Sequence, residues 1–187
     1  MIRLYADNTL IGTATVGNTG AWSITLAQPL DDGTYALTLS ATDPAGNESP
    51  RSEAFSLVVN TTADAPIITG ANDDVGPVTG NVANNGSTDD NTPTLTGTAE
   101  AGSSVAIYDG IRLIGTVTAS ATGAWSFTPT TVLAEGQHVF TAVATDSAGN
   151  VSPISGSYTL TVDVTPPATP LITSINDDVA GNTGLLT

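Results

Sequence analysis

The chain contains 187 residues, and its 18 acidic and three basic side chains give a net charge of −15 at pH 7. A surface this acidic disfavours nucleic acids and anionic membranes as partners, because both carry the same sign of charge. The absence of cysteine excludes disulfides, thiolate metal sites and a cysteine nucleophile. The apolar share of 40% is too large for a disordered acidic chain, and no apolar run is long enough to span a membrane.

The sequence repeats itself along the chain. A Gly-Ala-Trp-Ser segment at 20–23 recurs at 123–126, an offset of 103 residues. An Asn-Asp-Asp-Val segment at 72–75 recurs at 176–179, an offset of 104. Such a fixed period indicates a tandem array of similar structural units. The initial Met1 falls inside a strand pattern, so we expect the chain to be a window on a longer array.

The alignment of the copies predicts the domain boundaries. Residues 1–59 and 104–162 align without gaps and are identical at 26 positions. We therefore expect the C-terminal part of one unit at 1–63, without its opening strands. A complete unit is expected at 64–165 and the start of a third unit at 166–187.

Seven short runs of strand-forming residues follow one another in the complete unit. Several alternate apolar and polar residues with a period of two; Tyr158, Leu160 and Val162, for example, share one face. Seven short strands in about 100 residues predict an all-β, immunoglobulin-like Greek-key sandwich. Trp22 and Trp125 occupy equivalent positions and are expected to pack in the sandwich. In chain order the predicted strands are 66–69, 94–99, 104–108, 112–119, 124–128, 137–145 and 157–162.

Two kinds of connection stand out between these strands. Proline-bearing linkers at 60–66 and 163–170 are expected to stiffen the junctions between units, since proline restricts the backbone. The segment 71–93 is rich in Gly, Asn and Asp and precedes the second strand. A connection of that length in a compact domain is usually functional or locally organised.

Three motifs together resemble the bacterial Ig-like repeats of large secreted, biofilm-associated surface adhesins. The order and spacing of the motifs, which cover most of the chain, carry this likeness. The resemblance implies a calcium-binding stalk that is exported and lies at the bacterial cell surface. The motifs are Asn-Asp-Asp-Val-Gly at 72–76 leading to Ser-Thr-Asp-Asp-Asn-Thr-Pro at 87–93, Thr-Gly-Thr-Ala-Glu-Ala-Gly at 96–102, and Ala-Thr-Asp-Ser-Ala-Gly-Asn at 144–150.

Calcium is the cofactor that the acidic loops favour. The chain has 14 aspartates against four glutamates, and short carboxylates in Gly/Asn/Asp loops suit a cation that takes six to eight oxygens. Alternating strands would place Asp64, Glu100, Asp146 and Asn150 at one pole, beside Asn60 of the incoming linker. We expect a calcium ion at this junction.

A second candidate calcium site lies in the long loop, where Asp73, Asp74, Asp89 and Asp90 accompany Asn72. Whether these side chains meet depends on how residues 76–88 fold back. Asx turns and solvated charge are the alternative in both places. No segment has the EF-hand or Gly-Gly-x-Gly-x-Asp spacing.

No enzyme motif is found in the sequence, and the single histidine, His138, aligns with Tyr35. A half-buried His138 with hydrogen-bonded ring nitrogens is therefore expected rather than a catalytic base. We expect a non-enzymatic spacer of a surface adhesin, supporting cell adhesion or biofilm formation. Its partners would be the neighbouring repeats and, through other domains, a host or biofilm-matrix ligand. The alternatives are a glycan- or protein-binding module and an accessory domain of a secreted enzyme.

Overall fold

The computed structural model describes residues 1–177 and 184–186, and every regular element in them is a β-strand. The described part of the chain holds no helix that is long and apolar enough to cross a membrane. The strands are β1 (Ile2–Ala6), β2 (Thr9–Ala14), β3 (Gly33–Ala41), β4 (Phe55–Val59), β5 (Ile67–Asp73), β6 (Gly80–Val82), β7 (Gly86–Thr88), β8 (Thr94–Thr98), β9 (Ser104–Asp109), β10 (Arg112–Thr118), β11 (Ala124–Phe127), β12 (Gly136–Thr145), β13 (Tyr158–Val162), β14 (Ile175–Asp177) and β15 (Gly184–Leu186).

The second unit is a two-sheet sandwich. One sheet has the order β10-β9-β12-β13-β7 and the other the order β11-β8-β5-β6. Period-two alternation turns one face of each strand inward, so that Tyr158, Leu160 and Val162 are buried, as the sequence predicted. The all-β, immunoglobulin-like sandwich is therefore confirmed. The apolar side chains with no exposed surface at its centre are Leu95, Val105, Ile107, Phe140, Ala142 and Leu160.

The second unit has nine strands where the sequence predicted seven. All seven predicted strands are present, and the first extends to Asp73. The two additional strands, β6 and β7, come from the long segment 71–93. β6 pairs antiparallel with β5, whereas β7 pairs in parallel with β13. The long connection is thus locally organised, and it supplies one outermost strand to each sheet.

The first unit forms a single sheet, β2-β1-β3-β4. No second sheet faces it in the described part of the chain. Trp22 is consequently 43% exposed, whereas its equivalent Trp125 is 4% exposed. The sequence predicts that both tryptophans are core or sheet-packing residues. Trp125 lies in the core, whereas Trp22 lies half-exposed beside the open sheet, because a covering sheet is present only in the second unit of the described chain.

The predicted third repeat is described only in part. β14 and β15 pair as a two-stranded antiparallel ribbon. Residues 178–183 and 187, which include part of the repeated Asn-Asp-Asp-Val segment, lie outside the described residues.

Candidate functional site: the junction between the two units

The turn after β12 places a carboxylate at the junction with the first unit. Asp146 Oδ1 accepts hydrogen bonds from the backbone amides of Ala148 and Asn150, each at 2.8 Å. Gly149 has a φ of 92° and closes the turn, a conformation that glycine adopts without strain. The Asp-x-Ala-Gly-Asn motif is therefore a self-contained Asx turn.

Asn60, the first residue after β4, bridges the two units. Its Nδ2 donates to Asp146 Oδ2 at 2.8 Å, and its backbone oxygen accepts a bond from Asn150 Nδ2 at 3.0 Å. Asn150 Nδ2 also donates to Asp146 Oδ2 at 2.8 Å. These three residues, the Asn60 bridge, link the incoming linker to the turn after β12. The structure thus brings together three of the five residues that the sequence placed at one pole.

Hydrogen bonding lowers the pKa of Asp146 below its usual 3.8. The side chain of Asn150 has the largest effect, and the backbone amides of Asn150 and Ala148 add to it against the opposing cost of burial. The equivalent Asp43 in the first unit has a lowered pKa for the same reason, through Asn47. Both carboxylates therefore remain ionised well below neutral pH, and the Asp146 charge lies at the junction.

Glu100 fixes the start of the second unit. Its Oε1 accepts a hydrogen bond from the backbone amide of Asp64 at 2.6 Å, while the Asp64 side chain remains exposed. The described residues contain no group of three or more His, Cys, Asp or Glu side chains arranged to hold a metal. The junction thus shows two separate carboxylate contacts, and calcium binding there stays a prediction.

The linker between the units is held at both ends. On the side of the first unit, Asp32 Oδ1 accepts bonds from the backbone amide and the hydroxyl of Thr61, at 3.1 and 2.7 Å. On the side of the second unit, Ala63 and Pro66 are buried. A proline with a buried ring and an anchored threonine leave the linker few free torsions.

The second acidic group, in the long loop, is largely structural. The buried Asp73 accepts a hydrogen bond from the Thr88 hydroxyl at 2.6 Å, and Thr88 in turn accepts a bond from the backbone amide of Asp90. Asp90 is 1% exposed and accepts bonds from the backbone amide and hydroxyl of Thr92. These two carboxylates hold the loop in shape through neutral donors.

The remaining acidic residues of the loop lie nearer the surface. Asp74 is exposed and donates its backbone amide to Asp90 Oδ2 at 3.4 Å. Asp89 and Asp73 line an open depression together with Asp163, whose backbone amide donates to Thr88 O. Asn72 pairs with Asn81 in the β5–β6 ladder. Calcium binding in this loop also stays a prediction.

Two comparisons with known proteins bear on this fold. The model of the family described as "Bacterial Ig-like domain" matches residues 1–61 and again residues 62–164. The chain belongs to the bacterial Ig-like domain family. Two consecutive matches agree with the tandem repeat that the sequence shows. No curated protein matches the chain at a significant level.

Two solved structures are similar to this bacterial Ig-like chain. A chain titled "Biofilm associated protein - BSP domain" is 25% identical over 88% of this chain, with a TM-score of 0.40, and this chain spans 25% of its length. The fibronectin(III)-like modules of Clostridium thermocellum CbhA are 18% identical over 86% of this chain and 76% of theirs, with a TM-score of 0.37. Both TM-scores lie below 0.5, so the family assignment rests on the family model alone.

The two bacterial Ig-like units differ at the only histidine. His138 Nδ1 lies 2.7 Å from Asp109 Oδ2, and its Nε2 lies 2.9 Å from Ala134 O. In the first unit Tyr35 makes the corresponding bond, from its hydroxyl to Asp31 O at 2.9 Å. The expectation of a half-buried, hydrogen-bonded histidine is confirmed.

Sequence reasoning missed the part that threonine plays in both acidic groups. Thr88 joins Asp73 to Asp90, and Thr61 ties the linker to Asp32. The available signal was local: each threonine lies near acidic residues and within a connection, where hydroxyls commonly bond to nearby polar groups. Nothing in the sequence pattern alone gives the long-range pairing of Thr61 with Asp32.

Proposed function

We propose that this chain is a non-catalytic spacer: consecutive bacterial Ig-like repeats in the stalk of a secreted, cell-surface adhesin, with junctions that calcium makes rigid. The observation that carries the proposal is the Asn60 bridge, in which the linker of one repeat is bonded to a turn of the next. A spacer must keep its two ends a fixed distance apart, and a hydrogen-bonded junction restricts bending between units.

The donor groups at the junction suit a calcium ion. The Asp146 and Glu100 carboxylates and the Asn60 amide supply hard oxygens, the ligand type that calcium takes. Rotating the Asn60 or Asn150 amide by half a turn exchanges its NH2 group for its carbonyl oxygen. A bound ion would neutralise the carboxylates and tie the linker to the second unit, in place of the hydrogen bonds described above.

An extracellular setting is compatible with the same chemistry. A chain without cysteine needs no disulfides, and a calcium-rich medium would neutralise the carboxylates at its junctions. We infer that its direct partners are neighbouring repeats. Any host or biofilm-matrix ligand would be bound by other domains.

Calcium titration calorimetry on the whole chain tests the metal. We expect saturable binding that falls at least tenfold in affinity in Asp146→Asn, because the substitution removes the only charge in the Asn60 bridge. The matched control is Asp43→Asn, which changes the same turn at a place where no linker of the described chain contacts it. Equal binding in the two variants and the unsubstituted chain would refute calcium binding at the junction.

The glycan-binding alternative needs an exposed aromatic platform on a complete unit. Trp125 does not provide one, since it is 4% exposed and packs against Gly97. Trp22 and Phe55 are exposed, but they lie on the open sheet of the first unit and not on a complete unit. The tryptophan of the complete unit therefore offers no support for glycan stacking.

A further inference from the structure

The linker leaves the first unit beside a carboxylate that belongs to neither candidate calcium site. Asp32 lies directly before β3, and Thr61 is the second residue after β4. Asp32 Oδ1 accepts hydrogen bonds from the Thr61 hydroxyl and amide, and its Oδ2 accepts a longer one from the Thr62 hydroxyl at 3.4 Å. One carboxylate thus holds two successive linker residues against the unit that they leave.

The second unit holds its own outgoing linker in the same way, with different residues. Glu135 is equivalent to Asp32, and its Oε1 accepts a hydrogen bond from the Thr165 hydroxyl. At the position of Thr61 stands Val164, which has no hydroxyl, and the bonded threonine is one residue further from the last strand. Glutamate is one methylene longer than aspartate, so its carboxylate reaches this threonine. The two differences between the copies compensate, and the contact is kept.

A ring side chain supports the backbone beside each of these carboxylates. Tyr35 donates its hydroxyl to Asp31 O at 2.9 Å, and His138 Nε2 lies 2.9 Å from Ala134 O. In both units the ring stands three residues after the acidic residue and contacts the carbonyl just before it. The carboxylate is therefore carried by a backbone segment that is itself held in place.

The two copies together show that the contact does not depend on what adjoins a unit. The linker of the first copy continues into a second unit, to which it is bonded. The second copy belongs to a sandwich in which both sheets are present. The carboxylate holds the outgoing linker in both settings, so the contact is a property of the repeat.

Neutral donors satisfy the Asp32 carboxylate. The Thr61 hydroxyl, and then the Thr61 amide, lower the pKa of Asp32 below its usual 3.8, against the opposing effect of burial. Hydrogen bonds to an ionised carboxylate are stronger than those between neutral groups, and these bonds need no cation. The hold on the linker is therefore present at neutral pH whether or not calcium is bound elsewhere.

We propose that Asp32 and Glu135 are positioning residues that set, without calcium, the direction in which the linker leaves each unit. This role goes beyond the calcium site of the proposed spacer, because it acts on the unit that the linker leaves, whereas the Asn60 bridge ties the linker to the unit that it enters. Removing calcium would loosen the Asn60 bridge alone, and the joint would keep part of its order.

Distances between two spin labels on the whole chain test this role. The chain has no cysteine, so Thr13→Cys and Thr116→Cys, at equivalent exposed positions of β2 and β10, give one labelled site in each unit. Double electron–electron resonance, with a chelator present throughout, measures the distribution of distances between the labels. We expect Asp32→Ala to widen this distribution by about twofold, because it releases the linker from the first unit.

Two further variants make the test specific. Thr61→Val removes the hydroxyl from the linker side and should also widen the distribution, and adding it to Asp32→Ala should widen it no further, since both changes break one contact. The matched control is Asp31→Ala, because the Asp31 carboxylate accepts no hydrogen bond within the described residues, and it should leave the distribution unchanged.

An unchanged distribution in either Asp32→Ala or Thr61→Val would overturn the proposal. Equal widening in Asp31→Ala would overturn it as well, because the loss of a negative charge would then be the cause. Since calcium is absent from every arm, these results do not depend on whether the junction binds calcium.

Discussion

Asp43 and Asp146 occupy the same position in two copies of one turn, yet their surroundings give them different roles. Each accepts hydrogen bonds from the asparagine four residues later, and each has a lowered pKa. Only Asp146 also accepts a bond from Asn60. The turn is thus a local property of five residues, whereas the bridge depends on the order of two units along the chain.

At the scale of single residues, His138 is expected to make the stability of the second unit depend on pH. Burial alone would lower the pKa of His138, but the hydrogen bonds to Ala134 O and Asp109 outweigh it and leave the pKa above the usual 6.5. Both ring nitrogens face acceptors, which favours the imidazolium. The added stability is therefore full below the unfolded-state pKa and is lost as pH rises through the folded-state pKa.

We expect the free energy of unfolding of the second unit to be greater at about pH 6 than at about pH 8.5. Denaturant titrations followed by fluorescence would measure the difference. The control His138→Tyr uses the residue that the first unit has at this position, where the tyrosine hydroxyl bonds to the equivalent carbonyl. An equal pH dependence in this variant would show that another group is responsible.

At the scale of the elements, equivalent strands contribute differently to the free energy of unfolding of the two units. Leu160 in β13 and Leu57 in β4 are equivalent residues, but Leu160 is fully buried and Leu57 only partly so. We expect Leu160→Ala to lower the stability of its unit by about 2–5 kcal/mol, since it leaves a cavity in a closed core.

Leu57→Ala should cost about 1 kcal/mol or less, because water reaches one side of that leucine already. Chemical denaturation of the two variants measures both changes in the free energy of unfolding. Costs of equal size would mean that the inner face of the first unit is covered in solution, contrary to the structure.

The strands of the second unit could be predicted because period-two alternation marks a half-buried strand directly. β6 and β7 could not, since each has three residues and β7 pairs with β13, which is more than 70 residues away in sequence. The local sequence around Trp22 matches that around Trp125 and does not distinguish their burial. The difference follows from the domain boundaries, because residues 1–63 lack the opening strands that cover the equivalent face of the second unit.

The candidate site was predictable in its parts and not in its geometry. The Asp-x-Ala-Gly-Asn motif and its meeting with the linker followed from turn chemistry and strand alternation. The orientation of the Glu100 carboxylate toward the Asp64 amide could not be predicted, because side-chain orientation depends on the final packing. The burial of Asp90 could not be predicted either, because an acidic loop pattern does not distinguish a buried aspartate from a solvated one.

At the scale of the whole molecule, the charge of −15 is carried by loops, turns and linkers in which hydrogen bonds fix many of the carboxylates. Asp32, Asp146 and Glu100 all hold the connection between the units. Bringing carboxylates to a junction costs energy through their mutual repulsion, and a divalent cation offsets that cost. In the proposed spacer, the linker would couple the shape of the array to the calcium content of the medium.

Small-angle X-ray scattering on the whole chain, with millimolar calcium and then with a chelator, tests this account most directly. We predict a larger maximum dimension and a narrower distribution of shapes with calcium, an effect that Asp146→Asn abolishes and Asp43→Asn leaves intact. The same dimensions with calcium and with chelator, in the unsubstituted chain, would contradict the account.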